Sequence, residues 1–206
     1  MLKNDNHALP IAKDTASIFV AGLGADDLGM QVGGWTIEWQ GKSGKSILGT
    51  SILDGIKASV SANTKVQYES DGNFNENAKV GIVVVGEQPY AEGVGDANDL
   101  RLSASDIAAI TNTRAHAEKL VVVILSGRPL VITDQLPMVD AWVAAWLPGS
   151  EGQGITDVLF GDFPFTGKLP YTWPRTNEQL PINLNNSQGK TGNDAPFFPF
   201  GYGLAD

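Results

Sequence analysis

The sequence predicts an α/β domain, a mostly parallel sheet with helices on both faces, followed by an irregular C-terminal tail. Three observations carry that expectation. Residues 80–85 and 120–125 are nearly unbroken runs of valine, isoleucine and leucine, as strands buried on both faces require. Segments with apolar residues at helical spacing alternate with these runs. Each run also halts at a cluster of glycine and polar residues, which gathers such clusters along one sheet edge.

In chain order, residues 16–21 form a short apolar run ending at Gly22-Leu23-Gly24, a strand followed by a tight turn. Residues 49–60 carry Ile52, Leu53, Ile56 and Val60 on one helical face. Residues 65–68 are a weaker strand, and residues 80–85 a strong one that stops at Gly86-Glu87. A helix is expected over residues 103–120, with Ser103 as its N-cap and Ile107, Ala108 and Ile110 turned inward. The strand at 120–125 closes at Ser126-Gly127-Arg128-Pro129. Another at 141–147 closes at Pro148-Gly149-Ser150-Glu151-Gly152, and a helix comes next over 154–160. Residues 1–165 thus supply sheet and helices. Residues 166–206 read as one further strand, 167–173, and a tail whose aromatics need cover. The whole is expected to form a single domain.

Composition narrows the function. The 206 residues are 42% hydrophobic and 18% charged, enough for a substantial core. So little charge also implies that part of the surface is covered, for instance by another domain. A net charge of −9 disfavours nucleic acid, since nothing offsets phosphate repulsion. With no cysteine and only His7 and His116, thiolate chemistry and Cys or His metal sites are not expected. No stretch approaches the roughly 18 apolar residues that span a bilayer. Met1-Leu2-Lys3-Asn4-Asp5-Asn6 has no secretory apolar run and gives no compartment.

Two glycine motifs are decoys. Gly41-Lys42-Ser43-Gly44-Lys45-Ser46 resembles a phosphate loop, but Trp39 stands where that pattern needs its first glycine. Gly22-Leu23-Gly24-Ala25-Asp26-Asp27 has Asp27 where a dinucleotide fingerprint needs its third glycine, and Asp26 is expected to cap the next turn or helix. A flavin site would need a phosphate cradle that neither supplies, so no cofactor is expected. There is no Gly-x-Ser-x-Gly elbow.

Two stretches remain. Val85-Gly86-Glu87-Gln88-Pro89-Tyr90-Ala91-Glu92-Gly93-Val94-Gly95-Asp96 leaves a strand and presents two glutamates and an aspartate on a loop. A loop carboxylate beside an apolar rim can act as a general acid, although acidic loops are more often merely solvated. Gly33-Gly34-Trp35-Thr36-Ile37-Glu38-Trp39-Gln40-Gly41 sets two tryptophans among glycines. Exposed indoles stack on pyranose rings; the same residues would serve equally as packing.

These two stretches resemble the second domain of glycoside hydrolase family 3. So do Ser126-Gly127-Arg128-Pro129, residues 144–152, Leu159-Phe160-Gly161-Asp162, residues 165–170 and residues 198–204, in the family's order over nearly the whole chain. The likeness is to exo-β-glucanases, β-glucosidases and cellodextrinases. It implies a flavodoxin-like α/β sandwich that supplies the acid/base glutamate of a retaining, exo-acting hydrolase of terminal β-linked glucose. The nucleophilic aspartate belongs to a (β/α)8 barrel, and no residue here resembles its motif. The expectation is an isolated domain, inactive without the barrel, whose partners are that barrel and a β-glucoside or β-glucan oligosaccharide. A periplasmic or extracellular compartment is implied in the same way.

Residue by residue, the resemblance makes Glu92 the acid/base, with Glu87 the alternative or else a brace for the loop. Trp39 stacks on the leaving-group sugar, with Trp35 a companion or a packing residue. Arg128 and Glu151 are expected to form structural ion pairs or brace loops rather than act in catalysis, Asp96 and Asp162 to cap turns or helices, and Phe200 and Tyr202 to pack. The competing reading is a non-catalytic carbohydrate-binding or scaffold domain built on Trp35 and Trp39.

Overall fold

The structure, a computed structural model, describes residues 1–205. Its sheet has six strands: β1 (Lys3–Asn4), β2 (Ser17–Ala21), β3 (Lys65–Glu69), β4 (Ala78–Gly86), β5 (Ala117–Leu125) and β6 (Ala141–Trp146). Their order is β1-β6-β5-β4-β2-β3, and only the β1–β6 pair is antiparallel. The helices are α1 (Leu28–Val32), α2 (Ile52–Ser59), α3 (Ala104–His116), α4 (Gln153–Leu159) and α5 (Leu184–Ser187). No helix among the described residues is long and apolar enough to cross a membrane.

Side chains alternate along each strand, so every strand feeds two cores. Ile18, Val20, Ile82, Val84, Val121, Val123 and Val143 face the side covered by Ile52, Leu53 and Ile56 of α2 and Leu159 of α4. Phe19, Val83, Val85, Val122, Ile124 and Trp142 face the side covered by Ala109 and Ile110 of α3. Burial on both faces explains why alternation is absent from the sequence of the central strands.

The tail completes the second face. Trp173 is fully buried there, its indole N–H donating to the Leu130 carbonyl at 2.7 Å. Tyr202 stacks on Phe198 at 4.8 Å and donates to the Leu2 carbonyl at 3.1 Å, whereas Phe200 stays half exposed. The strand expected at 167–173 does not form; Trp173 makes one isolated bridge to Phe198. Pro170 and Pro174 lack the N–H groups a ladder needs.

Other boundaries moved for identifiable reasons. Ser103 caps α3, its Oγ accepting from the Asp106 N–H at 3.1 Å. That helix ends at His116 rather than Leu120, because Ala117 pairs with Ala78 and begins β5. The edge strand β1 and helices α1 and α5 carry too few residues for a periodic signal. Asp27, not Asp26, caps α1, accepting from the Met30 N–H at 2.8 Å; Asp26 accepts from the Ser51 hydroxyl at 2.8 Å and pairs with Lys45 at 3.2 Å. Gly44 N–H and the Ser43 hydroxyl donate to Asp27, so the glycine-lysine turn is tied inward. Asp162 pairs with Lys13 at 2.6 Å instead of capping.

From β2 the chain crosses to β3 on one side and then to β4 on the other. The reversal opens a crevice at the carboxyl ends of β2 and β4, where such sheets take ligands. Glycine is obligatory at both exits. A Cβ on Gly22 would sit 2.0 Å from the Val84 carbonyl oxygen, and one on Gly86, at φ +152°, 1.8 Å from that of Leu125. Gly86→Ala is therefore expected to cost more than about 3 kcal/mol in chemical denaturation. Gly154→Ala, within α4 and facing open space, should instead stabilise by up to about 1 kcal/mol.

Candidate active site

β4 delivers the chain to Glu87, whose N–H extends the ladder by one bond to Leu125 O at 3.0 Å. Its carboxylate is fully engaged. Arg128, just past β5, donates from Nε at 2.9 Å and Nη2 at 2.6 Å to Oε1, and the Tyr90 hydroxyl donates to Oε2 at 3.0 Å. The third guanidinium nitrogen, Nη1, donates to Gly95 O at 2.7 Å, and the guanidinium lies 4.8 Å from the centre of the Tyr90 ring. Glu87 and Gly95 bound the loop on either side, so one arginine holds both ends together. Burial and the Glu87 charge push the Tyr90 phenol up to about 12. Gly95 has to be glycine, since a Cβ there would lie 2.1 Å from the Tyr90 ring.

Glu92 stands at the opposite extreme. It is exposed at the tip of the loop and opens the 3₁₀ turn Glu92–Gly95, which Asp96 N–H closes on Gly93 O at 3.2 Å. Its side chain makes no hydrogen bond or ion pair with any described residue. Its φ of +52° is left-handed, a conformation costing a non-glycine residue about 1 kcal/mol or more. Ala91, immediately before it, is buried and donates its N–H to Gln40 Oε1 at 2.9 Å.

Gln40 belongs to the tryptophan loop. Here Trp35 N–H donates to Trp39 O at 2.9 Å, and Trp35 and Ile37 take φ values of +62° and +64°. The turn throws its apolar side chains outward: Trp35 is 69% and Trp39 54% exposed, their rings 6.2 Å apart and tilted by 49°. Indole faces this open cannot be serving this domain's own core.

The structure thus sets the tryptophan loop against the glutamate loop and gives the two glutamates opposite surroundings. Glu151 is exposed, with Ser150 Oγ 3.3 Å away and its backbone bridged to Thr50. A cavity of about 520 Å³ lies on the inner side of the glutamate loop, between Tyr90, Gly95 and Arg128 and the start of α3; Glu92, Trp35 and Trp39 do not line it. Asp106 at its floor is buried, which pushes its carboxyl up, while its Ser103 partner donates at 2.8 Å. Sequence reading missed Gln40 and Asp106, although Ser103-x-x-Asp106 is a capping-box-like spacing. No group of three or more His, Asp or Glu among the described residues is arranged to hold a metal.

The model of the glycosyl hydrolase family 3 C-terminal domain matches residues 1–205. A lysosomal β-glucosidase of Dictyostelium discoideum is 29% identical over 227 residues, covering 100% of this chain and 28% of its own length. A periplasmic β-glucosidase of Salmonella typhimurium is 28% identical, covering 100% of this chain and 33% of its own length. A point mutant of the exo-1,3/1,4-β-glucanase from a Pseudoalteromonas species superposes with a TM-score of 0.88 at 39% identity, over 99% of this chain and 34% of that one. The chain spans about a third of the length of these relatives.

Two measurements check the brace. Alkaline titration of phenolate absorbance should show a component near pH 12 that Tyr90→Phe abolishes. Because the folded-state pKa lies above the unfolded value near 10, the Tyr90 contribution to stability is intact below pH 10 and lost as pH rises towards 12. Arg128→Met strands the largely buried Glu87 carboxylate and should lower stability by about 1–3 kcal/mol in chemical denaturation.

Proposed function

The chain belongs to the glycosyl hydrolase family 3 C-terminal domain family, and on that footing we propose that it is the acid/base-supplying domain of a retaining, exo-acting β-glucosidase or exo-glucanase. Its substrate is a β-glucoside or β-glucan oligosaccharide, from which terminal glucose is released. The observation that carries this reading is the contrast between the two glutamates. Glu87 is engaged by Arg128 and Tyr90, whereas Glu92 is exposed at the tip of a loop that meets the loop carrying two exposed indoles.

In the first step Glu92 gives its proton to the glycosidic oxygen, and the aspartate of a partner (β/α)8 barrel attacks the anomeric carbon. The C–O bond to the leaving sugar breaks as the glycosyl–aspartate ester forms. In the second step the Glu92 carboxylate takes a proton from water. The resulting hydroxide displaces the aspartate, and glucose leaves with its configuration retained. The two carboxyl groups must stand about 5–5.5 Å apart across the sugar. This chain supplies one of them, so by itself it is inactive. Trp39, with Trp35 beside it, stacks on the leaving sugar. Glu87 is the poorer candidate, since its carboxylate is already engaged by Arg128 and Tyr90.

Joined to or mixed with a family barrel, the chain should hydrolyse β-glucosides. Glu92→Gln should then cut turnover of unactivated glucosides by about 10²-fold or more. Aryl glucosides with acidic leaving groups, which need no proton, should lose far less in the glycosylation step. Glu87→Gln should weaken both alike, through folding. The exposed tryptophan pair favours a second reading, a carbohydrate-binding domain without chemistry. That reading prevails if the isolated chain binds oligosaccharide tightly and no barrel restores hydrolysis.

A further inference from the structure

We infer that Gln40 is a positioning residue: its carboxamide sets the placement of Glu92 relative to the Trp39 stacking surface. This rests on the acid/base reading of Glu92. Gln40 comes directly after Trp39 in the chain, and Ala91 directly before Glu92. The Ala91 N–H donates to Gln40 Oε1 at 2.9 Å, and among the described residues this is the hydrogen bond that joins the two loops. One contact therefore links the residue that grips the leaving sugar to the residue that protonates its oxygen.

The carboxamide can point only one way. Turned over, it would set its own N–H groups against the Ala91 N–H, donor against donor. Its Nε2 is buried without an acceptor, so the bond to Ala91 is the hydrogen bond that fixes this side chain. The loops are also pressed together on either side of it. A Cβ on Gly34 would lie 2.1 Å from Tyr90 O, and one on Gly41 would lie 2.7 Å from Pro89 Cβ. Tyr90 is fixed in turn by Glu87 and Arg128. Glycine lets the loops approach, and Gln40 sets the register in which they meet. Without that bond the exposed, left-handed tip at Glu92 is anchored only at Tyr90 on one side and Gly95 on the other, and the residue next to it is released.

General-acid catalysis is steeply sensitive to such a shift, because the proton must reach the leaving oxygen within hydrogen-bond range. The test uses Gln40→Met, which keeps length and packing but offers no comparable acceptor, and Gln40→Asn, which keeps the amide one methylene short. In the chain alone, exchange of the Ala91 amide should accelerate in both variants. With a family barrel, kcat/KM on unactivated β-glucosides, which reports the glycosylation step, should fall by about tenfold or more. For activated aryl glucosides kcat/KM should stay within about twofold, since their departure in the glycosylation step needs no acid.

Equal losses of kcat/KM on both substrate classes, or unchanged Ala91 exchange in a folded variant, would overturn the proposal. Failure of both variants to fold would also overturn it, by giving Gln40 a structural role. Glu92→Gln is run beside them. If it shows the leaving-group dependence and the Gln40 variants do not, the positioning claim falls and the acid/base reading stands. If Glu92→Gln shows none, the acid/base reading itself falls.

Discussion

The ion pair between Glu87 and Arg128, with the Tyr90 hydroxyl on its second oxygen, is the contact from which the site is built. It lies where the polypeptide leaves two adjacent parallel strands, and it spans the loop by reaching Gly95 O. With side chains 17% and 26% exposed, such a pair gains little net free energy after desolvation. What it contributes is shape. By holding the base of the loop rigid, it lets a glutamate five positions further on take a left-handed backbone and keep its carboxyl unpaired. Two identical side chains thus stand in opposite surroundings, one paired and one exposed.

The sheet supports this by placing the loops. The crossover reversal between β2 and β4 leaves their carboxyl ends side by side, and the α1 region beyond β2 carries the tryptophan turn to the glutamate loop. Glycines at 34, 41 and 95 permit contacts that any side chain would block. The C-terminal tail closes the far face, with Trp173 buried in it, so the edge that carries the two loops is not called on to cover the core.

Much of this was legible in the sequence because it is local. Buried strands announce themselves as runs such as Leu120-Val121-Val122-Val123-Ile124-Leu125, and Ser103 signals the start of α3. The end of that helix did not, because Ala115-His116-Ala117-Glu118-Lys119 suits a helix as well as a strand; pairing with β4 decides. The turn chemistry of the tail was likewise mistaken for a strand, although Pro170 and Pro174 argued against one. A brace was expected at Arg128 and, as one of two roles, at Glu87, but their pairing with one another and the Gln40 tether lay beyond local reading. They join residues 41 and 51 positions apart, and a spacing pattern carries no such information. Family resemblance pointed to Glu92 and Trp39. The contrast in contacts that supports the proposal of Glu92 over Glu87 appears only in the structure.

The most direct measurement is a crystal structure of this chain joined to a family barrel, with an unhydrolysed β-glucoside bound. The account predicts a Glu92 carboxyl oxygen within about 2.6–3.2 Å of the glycosidic oxygen, with the leaving sugar against Trp39 and Glu87 still held by Arg128. Glu87 at that oxygen, or Glu92 turned into solvent with the sugar in place, would contradict it.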